Sequence, residues 1–196
     1  MAERKATVTR ETKETSIKVE LNIDGKSKYE ITTGIRFFDH MLTQLAQHGL
    51  FDIKLSATGS DQHHVVEDVA ISLGKAFNQA LGDKKGIVRM SHAVTPMDDA
   101  LAIVAIDIGG RSYTAFEATF SDISINEMST DLIRHFLVSF ASEAKLNIHA
   151  KVVCGVNDHH KAEALFKALA RALDAATCID ERTAGRIPST KDTIGH

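Results

Sequence analysis

Tryptophan is absent from the 196-residue chain, and tyrosine occurs only twice. With so few aromatic planes, a platform for stacking nucleic-acid bases is not expected. A net charge of −3 likewise offers no basic surface for a phosphate backbone or an anionic membrane. Cysteine occurs only at Cys154 and Cys178, too few for a disulfide framework. Both thiols read as small buried hydrophobes in a reducing compartment. The opening residues, MAERKATVTRETKE, lack the apolar core of a secretory signal, and no run approaches the ~18 apolar residues of a membrane span. The expectation is a cytoplasmic protein with neither nucleic acid nor membrane as partner. What is present suits a globular core: 43% of residues are hydrophobic and 25% charged. The length fits one large domain or two small ones of about 100 residues each.

The chain repeats itself. ETSIKVELNIDGKSKYEITT, from Glu14 to Thr33, matches DALAIVAIDIGGRSYTAFEAT, from Asp99 to Thr119. Both alternate apolar and polar residues, then reach Asp24-Gly25 or Gly109-Gly110, the pattern of a β-hairpin. FFDHMLTQLAQHG (Phe37 to Gly49) aligns with LIRHFLVSFASEA (Leu132 to Ala144), each an amphipathic helix with a histidine near its start, His40 and His135. A strand follows in each half, FDIKLSATG and LNIHAKVVCG, and then a long helix, VVEDVAISLGKAFNQAL or KAEALFKALARALDAA. The fold class is therefore α+β: two tandem pseudo-symmetric repeats, each a mostly antiparallel sheet of three or four strands with helices on one face. The first repeat spans 1–91 and the second 92–180, with no Pro-, Gly- or Ser-rich linker between them. A polar tail, 181–196, lies outside the repeat.

Each long helix opens on the same motif, HHxxE: His63-His64 with Glu67, and His159-His160 with Glu163. A single HH pair is ordinarily polar filler, and a single i,i+4 His–Glu pair can be a local ion pair. Recurrence at matched positions of two repeats points instead to metal ligation. Residues i and i+4 share a helix face, so His63 and Glu67 can grip one ion, whereas His64 points about 100° away and must serve another. A pseudo-twofold between the halves makes the arrangement reciprocal. One ion takes His63, Glu67, His135 and His160; the other takes His40, His64, His159 and Glu163. Three imidazoles and a carboxylate suit Mn²⁺, Fe²⁺, Zn²⁺ or Co²⁺ and leave octahedral positions open for a substrate. His92, His149 and His196 break the repeat pattern and are not expected to be ligands. His48, near the end of its helix, reads equally as a histidine stabilised by the helix dipole or as a substrate contact. Arg89, Arg111, Lys167 and the Ser189-Thr190-Lys191 run stand near repeat landmarks, and beside a metal site they suggest a phosphorylated small substrate.

GIRFFDHMLTQLAQHGLFD, DQHHVVEDVAISLG, PMDDAL, HFLVSFASEAKLNIH, NDHHKAEALFKALARAL and IPSTK, in this order, closely resemble the imidazoleglycerol-phosphate dehydratase family of histidine biosynthesis. The resemblance runs from about Ala6 to Lys191. Arg36 stands where the family commonly has proline, and Asp192 where glycine usually follows the STK run. The resemblance implies a fold like domain 2 of ribosomal protein S5, two Mn²⁺ per active site on the ligand sets above, and a homo-oligomeric 24-mer with sites completed between subunits. It implies dehydration of D-erythro-imidazole glycerol phosphate to imidazole acetol phosphate, a small phosphorylated imidazole substrate. Substrate contacts carried over are Glu14, His40, His48, His63, Glu67, Arg89, Arg111, His159, Lys167, Ser189, Thr190 and Lys191, with the arginines and the tail holding the phosphate. Glu67 or Glu163 would move the proton, Glu14 from a neighbouring subunit would handle the departing hydroxyl, and His48 completes the catalytic set. The rival reading, a protein whose histidines merely staple subunits through metal, leaves the basic residues and the STK tail unexplained.

Overall fold

A computed structural model describes residues 3–183 and 185–194, so His196 lies outside the described residues. Among the described residues, an order of three strands, helix, strand and helix occurs twice, the second time with a small two-stranded ribbon inserted before its first helix. The first repeat comprises β1 (Lys5–Glu11), β2 (Thr15–Asn22), β3 (Tyr29–Thr32), α1 (Arg36–Gly49), β4 (Asp52–Gly59) and α2 (Gln62–Leu81). The second comprises β5 (Met90–Met97), β6 (Ala100–Asp107), β7 (Tyr113–Glu117), a small β8–β9 ribbon (Ser124–Ile125 with Met128–Ser129), α3 (Asp131–Ala144), β10 (Asn147–Cys154) and α4 (Asp158–Thr177). The sheets run β1-β2-β4-β3 and β5-β6-β10-β7, antiparallel except for the parallel pairs β3/β4 and β7/β10.

The expected hairpins are therefore corrected. β2 and β3 do not pair; both border β4. The reason lies in Asp52 at the head of β4, whose carboxylate accepts the backbone N–H groups of Lys26 (2.8 Å) and Lys28 (3.0 Å) and the amide of Asn22. These bonds carry the chain across the end of β4 instead of back along β2. Gly25 sits in that crossing because a Cβ there would meet the Asp52 backbone nitrogen at 2.3 Å. Asn147, at the head of β10, does the same in the second repeat by donating to the Arg111 carbonyl (2.7 Å). The true hairpins join β1 to β2 and β5 to β6. The largely polar β1 gives little strand signal, because only Ala6 and Val8 pack inward as apolar residues.

Every strand shows one face to the helices and one outward, as the alternating burial of β2 and β6 records. The helices lie between the sheets: α2 against β1, β2 and β4, and α4 against β5, β6 and β10. Across the middle, α1 packs on α4 and α3 on α2, so each repeat's first helix rests on the other repeat's second. An aromatic cluster holds this layer, with Phe136 edge-to-face on Phe38 (5.5 Å) and close to Phe140 and Phe166. Each such pair adds ~0.5–1.5 kcal/mol to its area burial. Gly74 permits the close α2–α3 crossing, since a Cβ there would meet the Phe140 carbonyl oxygen at 2.7 Å and Glu143 Cβ at 2.9 Å. Gly74→Ala is expected to cost ~1–3 kcal/mol by overpacking, read as a lowered unfolding midpoint.

Cys154 and Cys178 are exposed, not buried, because one ends β10 and the other caps the C-terminus of α4. No described helix is long and apolar enough to cross a membrane.

Candidate metal centre

Capping fixes where each HHxxE motif begins to turn. Asp61 caps α2 by accepting the His64 backbone N–H (3.0 Å), and Asn157 caps α4 through that of His160 (3.3 Å). Both histidine pairs thus occupy a first helical turn, and the pair members diverge. Because α1 rests on α4 and α3 on α2, the lone histidine of each repeat arrives at the other repeat's motif. Ligand-capable atoms of His40, His159 and Glu163 all lie within 4.8 Å of one another, as do those of His63, Glu67 and His135.

The first cluster is the more enclosed. His40 Nε2 and His159 Nε2 lie 3.1 and 3.2 Å from the same oxygen of Glu163, whose other oxygen pairs with Lys167 Nζ at 2.7 Å. Phe37 sets its edge against the His159 ring at 5.2 Å. Burial raises the Glu163 carboxyl, but the Lys167 ammonium and His40 outweigh it and hold the group below its ordinary value, so it stays anionic. Gln44 reaches from His40 Nδ1 (3.4 Å) to His48 Nε2 (3.1 Å), linking His48 to the cluster. Burial, aided by Lys167 and Arg171, pushes the His48 imidazole below its usual value and favours its neutral form.

The second cluster is looser. His63 Nε2 is 3.9 Å and His135 Nε2 3.5 Å from the Glu67 carboxylate, with the two imidazoles 4.5 Å apart between centroids. His135 Nε2 is buried and makes no hydrogen bond. A buried ring nitrogen without a partner is costly unless it serves as a ligand. Two imidazoles and a carboxylate converging around such a nitrogen fit a divalent transition ion.

His64 and His160 join neither cluster. His64 Nδ1 lies 2.7 Å from Asp61 Oδ2, and its Nε2 faces Glu14 at 3.5 Å. His160 Nδ1 bonds Asp99 Oδ1 at 2.6 Å, with Nε2 3.5 Å from Asp98. The His160 bond, then the Val156 and Asn157 N–H groups, hold the Asp99 carboxyl far below the carboxylate range. His149 sits beside Tyr113, and His92 shares a small cavity with His48 and Arg171.

A separate cleft of about 540 Å³ gathers Arg89, Arg111, Ser189, Thr190 and Lys191. Arg89 is gripped in a fork by Asp107 (Nε–Oδ1 2.7 Å, Nη2–Oδ2 3.1 Å) and donates from Nη1 to the Pro188 carbonyl at 2.8 Å. The same guanidinium therefore docks the tail and lines the cleft. Asp107, Asp99 and Gln44 escaped the sequence reading. All three lay in segments already singled out, Gln44 in GIRFFDHMLTQLAQHGLFD, Asp99 in PMDDAL and Asp107 in the repeat from Asp99 to Thr119, but none of these gave a sign of its partner.

Residues 33–173 match the family model described as imidazoleglycerol-phosphate dehydratase. Relatives bearing that name include one from Dehalococcoides mccartyi, 59% identical over 99% of both chains. Another, from Methanothermobacter thermautotrophicus, is 53% identical over 97% of this chain and 98% of its own. The fold is similar to crystal structures of imidazoleglycerol-phosphate dehydratase from Staphylococcus aureus (TM-score 0.83, 33% identity, 90% of this chain and 99% of that one). It is also similar to IGPD from Pyrococcus furiosus (TM-score 0.84, 36% identity, 95% of this chain and 100% of that one).

Proposed function

The chain belongs to the imidazoleglycerol-phosphate dehydratase family, hydro-lyases of histidine biosynthesis, and from that premise we propose a metal-dependent dehydration of D-erythro-imidazole glycerol phosphate to imidazole acetol phosphate in the cytoplasm. The observation that carries the metal dependence is the pair of matched His₂Glu clusters, each one histidine short, while His64 and His160 lie outside them. A second copy of the chain completes them, His64 joining His40, His159 and Glu163, and His160 joining His63, Glu67 and His135. Two Mn²⁺ ions per site, or other divalent transition ions, suit this donor set. The outer face of the second sheet, which exposes Met90, Val94 and Tyr113, supports self-association, to the 24-mer that the family resemblance implies.

In this reaction the hydroxyl lost sits on the carbon attached to the ring, and the proton lost sits on the next carbon. Divalent ions held by these histidines and glutamates would supply the Lewis acidity that favours a deprotonated ring, able to release electron density as the hydroxyl leaves and to take it back as the proton leaves. The chain's own residues do the rest. Arg89, Arg111 and the Ser189-Thr190-Lys191 tail hold the phosphate and so fix the distance of the reacting carbons from it. Anionic Glu163, or Glu67 in the pseudo-equivalent cluster, takes the carbon-bound proton. Lys167, 2.7 Å from Glu163, stands ready to pass a proton onward. Glu14 lies beside His64, so it enters the neighbour's site together with that ligand and protonates the departing hydroxyl. His48, kept neutral, donates its Nε2–H to Gln44 Oε1 and leaves Nδ1 to accept from a substrate hydroxyl.

Exhaustive chelation is expected to abolish turnover of imidazole glycerol phosphate, and Mn²⁺ to restore it with two ions per chain by elemental analysis. Undiminished turnover in metal-free protein would end this reading. A pure metal staple predicts dissociation on chelation and no turnover at any metal content.

A further inference from the structure

We propose that Asp99 is a positioning residue that fixes the tautomer of His160, holding the proton on Nδ1 so that Nε2 presents its lone pair outward to a second copy of the chain. The inference rests on the reading that the clusters are completed between copies, and it adds what prepares the donated histidine. Asp99, in the β5–β6 turn, places Oδ1 2.6 Å from His160 Nδ1. Its Oδ2 accepts the backbone N–H groups of Val156 and Asn157, immediately before α4. A carboxylate committed to two backbone donors is acceptor-only, so the facing imidazole nitrogen must carry the proton. The neutral ring then has its lone pair on Nε2, the form that can bind a metal.

The other repeat treats its histidine differently. His64 Nδ1 lies 2.7 Å from a carboxylate oxygen of Asp61 without the geometry of a hydrogen bond, while the other oxygen caps the His64 backbone. In α4 the cap is Asn157, whose oxygen is taken up by the His160 backbone N–H and supplies no carboxylate. Asp99 fills that place from a distant turn. Glu14, which aligns with Asp99 in the repeat, faces His64 at Nε2 (3.5 Å), so of the two histidines outside the clusters only His160 is hydrogen-bonded to a carboxylate at Nδ1.

Asp99→Asn separates positioning from capping. An amide keeping its oxygen on the two backbone donors turns its NH₂ toward Nδ1 and drives the ring proton to Nε2. In metal-free protein labelled with ¹⁵N-histidine, wild-type His160, assigned with His160→Gln, is expected to carry its proton on Nδ1 and Asp99→Asn to carry it on Nε2. One of the two ions should bind ~10–100-fold more weakly in Asp99→Asn while the other is unchanged. A wild-type His160 protonated on Nε2 overturns the proposal, even if the variant fails to fold. So does an Asp99→Asn protein that binds both ions as wild type does. Wild-type protein that binds no metal defeats the functional reading instead, with the tautomer measurement still deciding the role of Asp99.

Discussion

Replacing Glu163 with glutamine is expected to lower kcat by about 10³-fold, within the ~10²–10⁴-fold range of a general acid or base, and to reduce bound metal from two ions toward one. The carboxylate accepts His40 and His159 on one oxygen and Lys167 on the other. An amide can supply neither the charge that neutralises half-buried Lys167 nor the anionic ligand, so chemistry and metal fall together. Glu67→Gln is the internal control, because its cluster is more exposed and has no lysine on its carboxylate among the described residues. Its loss of metal should be of similar sign with less structural cost. The pH dependence has a definite sign. The Glu163 carboxyl is held below its ordinary value once Lys167 and His40 outweigh burial. Its contribution to the stability of metal-free protein is thus fully present above the unfolded glutamate value and is lost as pH falls through the folded one. The stability gap between wild type and Glu163→Gln should stay constant from neutrality to about pH 5 and shrink below it. Unaltered metal content and kcat in Glu163→Gln would remove this residue from the site.

The helices and the identity of the histidine-bearing elements were legible because periodicity and repetition are local properties. His40 and His135 could be placed from the repeat alone, and the structure brings each to the opposite motif through the α1–α4 and α3–α2 contacts. Pairing was not legible. Asp24-Gly25 carries the composition of a hairpin turn, yet its glycine serves a crossing over Asp52, a residue far along the chain. A turn signal states that a strand ends; which strand it meets next depends on such distant side chains. β1 and β5 were hidden for a related reason, since edge strands need little apolar content and their register is supplied by β2 and β6. Asp107 and Asp99 were illegible as functional groups because isolated aspartates carry no pattern. Only folding sets one against Arg89 and the other against His160.

Arg89→Leu is expected to reduce kcat/KM by about 10²–10⁴-fold, since each charge-assisted hydrogen bond it makes or positions is worth ~1.5–3 kcal/mol. Two separable losses are combined in that figure. One is the guanidinium itself, which lines the cleft with Arg111 and Lys191. The other is the docking of the tail, because Nη1 donates to the Pro188 carbonyl one residue before Ser189. Gly109 belongs to the same device: a Cβ there would meet Asp107 Oδ2 at 3.0 Å and Arg89 Nη2 at 3.3 Å, so its absence lets the fork close. Asp107→Asn leaves the charge on Arg89 but weakens one arm of the fork, and it should raise KM several-fold with little change in kcat. Arg89→Lys keeps a cation but cannot bridge Asp107 and Pro188 together, so it should recover only part of the activity. If phosphate binding serves only to hold the substrate, the whole Arg89→Leu effect appears in KM. If it also aligns the reacting carbons against the two clusters, kcat falls as well, because remote binding energy is then used in the transition state. Activity of Arg89→Leu close to wild type, with inorganic phosphate inhibiting both proteins equally, would place the phosphate elsewhere and detach the cleft from the reaction.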